Sequence, residues 1–329
     1  MTQTLYRITV QPQTPFATPL RGDTLFGQCC WLIRQSAGES ALTQLLDGYT
    51  DHNPFLVLSD PFPSGYLPRP EVPAHRLGFA LADPRERKTQ KSQRWLPETA
   101  ISEPITHWHN HLTTEKNLAK HLIGDEGQPL QRNQIQSHNS LNRLSNTTGT
   151  GESGFAPFER NQTWYHPKLP LNIYAVADAR LSQTQLEQLL HELGQTGYGK
   201  EASTGAGKFT ITDIARWQWR PHADANAWLT LAPCAPQGLE WQPRQCFYRT
   251  HTRFGRHGGQ AAMTNKPWKN PILLADTAAV LTPRALDTGT LMTGQGLSAL
   301  SHSIPGTVHQ GYAPVVPIHI EQNDKEAGA

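Results

Sequence analysis

A glycine-rich stretch is the part of this sequence best suited to hold a ligand. Residues 194–209 read GQTGYGKEASTGAGKF, with five glycines, two lysines and a Ser-Thr pair. Glycine lets backbone N–H groups turn toward an anion and lets a polyanion come close, because no Cβ intervenes. Lysine adds attraction for phosphate without one set geometry. The stretch therefore predicts a loop for a phosphate-bearing ligand. Its candidate contacts are Gly197, Gly199, Lys200, Ser203, Thr204, Gly205, Gly207 and Lys208.

Two nucleotide-binding motifs do not fit this stretch. A P-loop needs Ser or Thr for magnesium after its lysine, but Glu201 follows Lys200. The flanking patterns predict a helix over 182–193 and a strand over 209–219, whereas P-loops and Rossmann loops run from strand into helix. An ordinary glycine-rich helix end and connection stays open as the alternative.

The elements around the loop predict an α+β domain over residues 1–220. Periodicity predicts strands at 5–10, 55–59, 171–176 and 209–219, and helices at 23–37 and 182–193. A long insertion over about 60–168, rich in Pro, His, Asn and Gly, interrupts them, as functional loops or an extended hairpin would. This split βαβ order is typical of a ferredoxin-like (RRM-like) fold, with helices on one face of an antiparallel sheet.

The remainder of the chain reads mostly as strands and loops. Strands are predicted at 228–232, 245–254, 272–275, 278–282 and 307–320. We interpret residues 221–320 as a second, degenerate β-rich ferredoxin-like domain, and residues 321–329 as a polar tail.

Composition indicates a globular chain with many turns. The 329 residues are 37% hydrophobic, with 26 glycines and 26 prolines, which is enough for two domains with cores. No apolar run approaches the roughly 18 residues of a membrane helix, and the N-terminus is unlike a signal peptide, so we expect a cytoplasmic protein. Four cysteines without metal-ligand spacing favour reduced thiols.

A metal site is not expected. His107, His109 and His111 alternate and would share one face of a strand, but no fourth ligand has a recognisable spacing. We expect no metal and no cofactor.

Positive charge is local, because the net charge is only +2. Residues 241–275 contain six Lys or Arg residues, five interleaved aromatics and no Asp or Glu, which suits a single-stranded nucleic acid. If residues 247–254 form a regular strand, Arg249 and Arg253 lie on one side of it, where they would contact RNA or a protein partner. A second basic cluster over 85–94 is interpreted as ordinary solvated surface.

Further segments carry a family resemblance. They are Pro19–Gly27 (PLRGDTLFG), Ser59–Pro70 (SDPFPSGYLPRP), His138–Ser145 (HNSLNRLS) followed by Gly154–Phe158 (GFAPF), and His309–Ile318 (HQGYAPVVPI). With the glycine-rich loop between the last helix and strand of the first domain, their order resembles the RAMP superfamily of CRISPR RNA-binding proteins. Within it, the chain is similar to the Csm-type subunit-four family of type III-A effector complexes.

The resemblance implies a non-catalytic binding subunit, not an enzyme. Such a subunit grips the 5′ repeat-derived handle of the crRNA, caps the base of the backbone filament, docks the large polymerase-cyclase subunit and abuts the first backbone RAMP subunit. The insertion would carry the RAMP thumb, which kinks the RNA. The residues implied for RNA contact there are His138, Asn139 and Arg143, with Leu144 or Phe155 as wedges.

Two residues near the first helix stay ambiguous in function. Arg21, just before that helix, could reach RNA or a surface carboxylate. Asp23 precedes Thr-Leu-Phe at the helix start, so we predict that it caps the helix rather than catalyses RNA cleavage.

Two other functions stay open. One is a metal-independent RAMP endoribonuclease that processes precursor crRNA by general acid–base chemistry, often with a histidine. The other is the equivalent capping subunit of a type III-B complex, which has the same role with different partners.

Overall fold

The computed structural model describes residues 2–80, 84–139, 141, 143, 146–148, 157–258 and 266–321. Its α-helices are α1 (Gly22–Ala37), α2 (Glu39–Leu46), α3 (Pro84–Ser92), α4 (Glu115–Ile123) and α5 (Gln183–Thr196). The strands of its first two thirds are β1 (Gln3–Pro12), β2 (Leu56–Leu58), β3 (Phe62–Pro63), β4 (Tyr66–Pro68), β5 (Gln93–Pro97), β6 (Thr113–Thr114), β7 (Gln131–His138), β8 (Phe158–Tyr165), β9 (Leu171–Asp178) and β10 (Phe209–Arg216). The later strands are β11 (Ala227–Thr230), β12 (Thr250–Arg253), β13 (Ile272–Ala275), β14 (Val280–Leu281), β15 (Met292–Gly294) and β16 (Tyr312–Ile318).

The first sheet has the order β10-β1-β9-β2, with every neighbour antiparallel and β3 also paired to β9. Helix α1 contacts β2, α5 contacts β10, and the two helices contact each other. The α1 sequence buries Leu25, Phe26, Cys29, Leu32 and Ile33, whose spacing of three and four residues forms one apolar stripe. Helix α5 begins with a capping box of Ser182 and Gln185.

The second half packs on the first rather than standing apart. Its main sheet has the order β14-β11-β16-β15. Residues such as Leu229 and Val316 belong to the same buried cluster as Leu56 of β2. The buried Gln310 side chain also accepts from the N–H of Leu58 over 2.9 Å and donates to its carbonyl oxygen over 2.7 Å. Because the core is continuous, the division at residue 220 stays a prediction.

The insertion is more regular than its sequence predicted. It holds the sheet β4-β5-β6, the helices α3 and α4, and a β7–β8 hairpin that is paired from Gln131 to Tyr165. The basic stretch 85–94 runs from α3 into β5. The extended hairpin, one of the two predicted alternatives, is therefore present, together with helices and short strands that the sequence did not predict. Its strands β3, β4 and β6 are only two or three residues long, which is too short to show a period.

The four cysteines are all unpaired thiols, and burial raises the pKa of both Cys30 and Cys234 to about 12. Within the described part of the chain, no helix combines the length and apolarity needed to cross a bilayer.

Candidate nucleic-acid interface

The glycine-rich loop is folded against the segment that precedes α1. Tyr198 N–H donates to the carbonyl oxygen of Gly207 over 2.9 Å, which closes the loop. Gly207 N–H donates to Pro15 O over 2.8 Å, and the buried Tyr198 hydroxyl donates to Pro19 O over 2.7 Å. Burial raises the pKa of Tyr198, so its hydroxyl keeps its proton at neutral pH. These bonds hold the loop in one shape.

Two glycines of the loop differ in what surrounds them. Both have a positive φ, 75° at Gly207 and 93° at Gly205. A Cβ on Gly207 would lie 2.1 Å from the carbonyl oxygen of Tyr198, whereas a Cβ on Gly205 would meet nothing within 4 Å. The fold of the loop therefore requires a glycine at 207, and at 205 only the backbone conformation favours one.

We expect Gly207→Ala to lower the free energy of unfolding by about 3 kcal/mol, because it adds a clash with backbone to the cost of a left-handed residue. Gly205→Ala adds only the left-handed cost, about 1–2 kcal/mol. Urea unfolding of the two variants measures the difference. Equal losses would contradict this assignment of the two glycines.

The backbone N–H groups of the loop are largely bonded within the protein, which corrects the expectation that they face an anion. Lys200 N–H donates to Thr18 Oγ1 over 2.8 Å, and Lys208 N–H donates to Thr14 Oγ1 over 2.9 Å. Carbonyl oxygens of the chain accept the N–H groups of Gly197, Tyr198, Thr204, Gly205, Ala206 and Gly207. A backbone donor with a full partner is not available to cradle a phosphate. The loop therefore offers side chains to a ligand, rather than a nest of amides.

The outer side of the loop presents the predicted lysines. Lys200, Ser203 and Thr204 are exposed, and Lys208 is half-buried. The acidic residue of the loop, Glu201, pairs with Arg160 of β8 over 3.0 Å. Among the residues that the structure describes, no carboxylate lies within 4.0 Å of either lysine ammonium. Both positive charges are thus available to an anion.

The β7–β8 hairpin flanks the segment that resembles the RAMP thumb, and one of its faces lacks acidic residues. The register pairs residue 132 with 164, 134 with 162, 136 with 160, and 138 with 158. Because side chains alternate across a strand, these eight share one side, and Glu159 lies on the other. We call this side the thumb face; it consists of Arg132, Gln134, Gln136, His138, Phe158, Arg160, Gln162 and Trp164.

The thumb face carries three kinds of group that bind RNA. Its amides can bond to base edges, its guanidinium groups can bind phosphate, and its rings can stack on bases. His138 stacks on Phe158 with centroids 5.5 Å apart and 16° between the rings, and the Arg160 guanidinium lies 5.3 Å from the Phe158 centroid. Phe158 and Trp164 are 42% and 40% exposed, so their rings remain accessible to a ligand.

Arg160 connects the thumb face to the glycine-rich loop through its pair with Glu201. The base of the hairpin is also fastened to the same preceding segment as the loop, since Phe16 and Thr163 exchange two backbone hydrogen bonds of 2.9 Å. We call the thumb face and the outer side of the loop together the loop–thumb surface. It includes His138, Lys200 and Lys208, and their contact with RNA stays a prediction.

Other predicted thumb contacts are placed only in part. Asn139 and Arg143 are exposed at the end of the hairpin. Leu144 and Phe155, the predicted wedges, lie outside the described residues. Sequence reasoning missed Arg132, Arg160 and Trp164, although the alternation of two paired strands could have placed them beside His138.

Arg21 binds carboxylates within the protein. The sequence left open whether it would contact RNA or a carboxylate. Its Nη1 atom lies 2.8 Å from Asp60 Oδ2 and 3.1 Å from Asp276 Oδ1, and it donates to Thr277 Oγ1 over 3.2 Å. Burial raises the pKa of Asp60, and the positive charge of Arg21 opposes that rise. Arg21 thus joins the first sheet to the segment after β13, and its charge is already compensated.

Arg249 and Arg253 do not form the exposed row expected from a regular strand over 245–254. The strand β12 is shorter and Arg249 precedes it. Arg249 is exposed and pairs with Glu71. Arg253 turns inward, where its Nε atom lies 2.8 Å from Asp23 Oδ2. RNA contact by these two residues stays a prediction, and both guanidinium groups have carboxylate partners.

Asp23 does not cap α1, which corrects its predicted role. The helix begins at Gly22 after Arg21, without a side-chain cap. The Asp23 side chain is only 2% exposed, and it contacts Arg253 and the Nε2 atom of His309 over 3.4 Å. Burial lowers the pKa of His309 to about 4, and Asp23 opposes that shift. This carboxylate is a buried junction between the two halves, out of reach of a substrate.

The three alternating histidines are not on a strand. Residues Ile105–Asn110 form a 3-10 helix instead. His109 Nδ1 lies 2.9 Å from Thr106 O, and His111 Nε2 lies 3.0 Å from Glu103 Oε2. In the described part of the chain, no group of three or more His, Cys, Asp or Glu side chains is arranged to hold a metal ion.

Comparison with known proteins gives structural matches alone. No family model and no curated protein matches the sequence. A chain of a solved Csm3-Csm4 subcomplex, in the type III-A CRISPR-Cas interference complex, superposes with a TM-score of 0.57 at 10% identity, over 95% of this chain and 99% of that one.

Chains of solved Csm1-Csm4 cassettes match in the same way. The chain from the cassette in complex with AMPPNP superposes with a TM-score of 0.55 at 15% identity. The chain from the cassette in complex with pppApA superposes with a TM-score of 0.53 at 16% identity. Both cover 98% of this chain and 100% of the other. The agreement over whole chains confirms the structural resemblance expected from the sequence: this protein has a mixed α+β fold with several antiparallel sheets, similar to that of the matched chains of the Csm1-Csm4 and Csm3-Csm4 structures.

Proposed function

We propose that this chain is a non-catalytic RNA-binding subunit of a type III-A CRISPR effector complex. It grips the 5′ repeat-derived handle of the crRNA, caps the base of the backbone filament and docks the large polymerase-cyclase subunit. The loop–thumb surface carries this proposal, because it combines exposed rings and amides with lysines that have no carboxylate partner among the described residues. Recognition of single-stranded RNA needs such a mixture of backbone contacts and platforms for unstacked bases.

The topology supports the ferredoxin-like part of the proposal. The strands and helices of the first sheet follow one another as β1, α1, β2, β9, α5 and β10, with the insertion between β2 and β9. This is the β-α-β-β-α-β succession of that fold, and the sheet order β10-β1-β9-β2 places the first and last strands side by side. We infer that the second half is a degenerate, β-rich copy.

The proposed partners come from the similar structures. Those structures are described as a Csm1-Csm4 cassette and a Csm3-Csm4 subcomplex. We infer that this chain likewise meets a large subunit and a first backbone RAMP subunit, with the crRNA between them. A type III-B complex would supply the same role with other partners, and the proteins that co-purify with the chain distinguish the two.

The two loop lysines give the first test. Changing Lys200 and Lys208 together to alanine should weaken binding of handle RNA and make it less sensitive to salt, by about 0.7 in log–log slope for each lost phosphate contact. Fluorescence anisotropy over a salt series measures both quantities. Lys120→Ala, which removes an exposed lysine of α4, is the matched control and should leave the slope unchanged. An unchanged slope in the loop variant would remove these lysines from the RNA surface.

The nuclease alternative has its own outcome. Purified wild-type chain is incubated with labelled repeat RNA and no metal. We expect the RNA to remain intact. Cleavage that is lost in His138→Ala would contradict a non-catalytic function and assign the thumb histidine to general acid–base chemistry.

A further inference from the structure

We propose that the exposed side of the β12–β13 ribbon is a second contact surface for single-stranded RNA, on which bases stack. This inference rests on the proposed function and extends it beyond the loop–thumb surface. Four large apolar side chains are exposed at this ribbon: Tyr248 by 49%, Phe254 by 67%, Trp268 by 61% and Leu273 by 66%. Apart from the Arg256 guanidinium beside the Trp268 ring, the described fold leaves them open to solvent, and an exposed apolar patch of this kind marks a binding site.

The backbone places Tyr248, Phe254 and Leu273 on one side of the ribbon. In β12, His251 and Arg253 are half-buried, while Thr250 and Thr252 are exposed. Thr252 pairs with the exposed Leu273 of β13. Tyr248 lies two residues before Thr250, and Phe254 lies two residues after Thr252. Because side chains alternate along an extended chain, both rings lie on the same exposed side as Thr250 and Thr252. At about 3.3 Å per residue these two rings are roughly 20 Å apart, with space for several nucleotides between them.

Charge favours a nucleic acid as the occupant. Residues 241–275 contain no Asp or Glu, and of their six Lys or Arg residues Arg249 and Arg253 pair with carboxylates from elsewhere in the chain, while Arg256 and Lys266 are exposed at the ribbon. The Arg256 guanidinium lies 5.3 Å from the centroid of the Trp268 ring, so a cation and a stacking platform adjoin each other. The cores of protein–protein interfaces are depleted of charge, whereas surfaces for single strands alternate positive charges with aromatic rings. The ribbon has the pattern of a surface that binds single strands.

The ribbon is also near the loop–thumb surface. Arg253 at its inner side reaches Asp23 in the first turn of α1. Arg21, immediately before that turn, forms an ion pair with Asp276, the residue after β13. The backbone N–H of Arg21 also donates to the hydroxyl of Tyr198 in the glycine-rich loop. Both surfaces thus border the start of α1, and one RNA strand can extend from the loop to the ribbon.

The test uses the full chain and an end-labelled oligouridine RNA of about 12 nucleotides. We expect Phe254→Ala and Trp268→Ala each to weaken binding by about 5- to 150-fold, the range for loss of one base–aromatic stack. The salt slope should stay constant, because no phosphate contact is lost. Trp268→Phe should retain most of the affinity. Leu239→Ala, another exposed apolar residue outside the ribbon, is the control and should bind as wild type does.

Each contrary result has a distinct meaning. If both ribbon variants bind like Leu239→Ala while the loop-lysine variant is weakened, the ribbon inference is wrong and the proposed function stands. If the ribbon variants keep RNA affinity but no longer co-purify with the large subunit, the ribbon is a protein surface, which also overturns the inference. If the wild-type chain binds handle RNA but not the oligouridine at low salt, the ribbon inference is wrong and the proposed function stands; if it binds neither RNA, both are wrong.

Discussion

Arg253→Ala is expected to lower the free energy of unfolding by about 3–5 kcal/mol, because it leaves a buried carboxylate without its partner. The carboxylate is that of Asp23, which is 2% exposed and lies 2.8 Å from the Arg253 Nε atom. The residues are far apart in sequence, so the pair holds the second half of the chain against the start of α1. Chemical denaturation followed by circular dichroism measures the loss.

Arg249→Ala is the matched control for this prediction. Its guanidinium is 71% exposed and pairs with Glu71 at the surface. Such pairs contribute about 0–1 kcal/mol, so this variant should be close to wild type. The double change Asp23→Leu with Arg253→Met removes both buried charges and should recover much of the loss. Equal effects of the two arginine variants would contradict the assignment of Arg253 to the fold.

Acidification is expected to destabilise the wild-type chain through His309. Burial holds the pKa of this imidazole at about 4, against 6.5 for an exposed histidine. Above pH 6.5 the ring is neutral in both the folded and unfolded states, and its stabilising effect is complete. As the pH falls from 6.5 toward 4, the unfolded state binds a proton that the folded state does not, so stability is lost over that interval. The loss amounts to about 3 kcal/mol.

His309→Gln isolates this contribution from the many carboxylates that titrate in the same interval. The variant cannot take up the proton, so its free energy of unfolding should fall less steeply between pH 6.5 and 4. The free energy of unfolding of the wild type minus that of the variant should therefore decrease by about 3 kcal/mol between pH 6.5 and pH 4, whatever its value at pH 7. Parallel curves would show that His309 titrates in the folded protein as it does in the unfolded chain.

The core elements of the first sheet were predictable because their sequences have a clear period. Strand β9 is buried along its whole length and reads as an apolar run, and α5 begins with a recognisable capping box. The thumb strands gave no such signal. Strand β7 is exposed on nearly all its residues, so no apolar alternation marks it. The hairpin connection sets the pairing of β7 with β8, because β7 has no buried face that would set the register.

The candidate site was predictable in residues but not in their roles. Glycines at 205 and 207 mark the loop, yet only the folded loop, which brings Gly207 against the backbone of Tyr198, shows why a glycine is needed at 207 and not at 205. Asp23 resembles a helix cap because a cap is a local pattern, while its partner Arg253 is 230 positions away. Such pairings arise only when the two halves pack together, and sequence spacing does not reveal them.

The most direct test of the proposed function is to express the tagged chain with the subunits encoded beside it and to sequence the RNA that co-purifies. We expect small RNAs of uniform 5′ end that begin with the repeat-derived handle, together with a large subunit and a backbone RAMP subunit. The Lys200→Ala and Lys208→Ala changes should reduce the recovered RNA. Recovery of the protein partners without such RNA, or cleavage of repeat transcripts by the chain alone, would contradict the proposal of a handle-binding subunit.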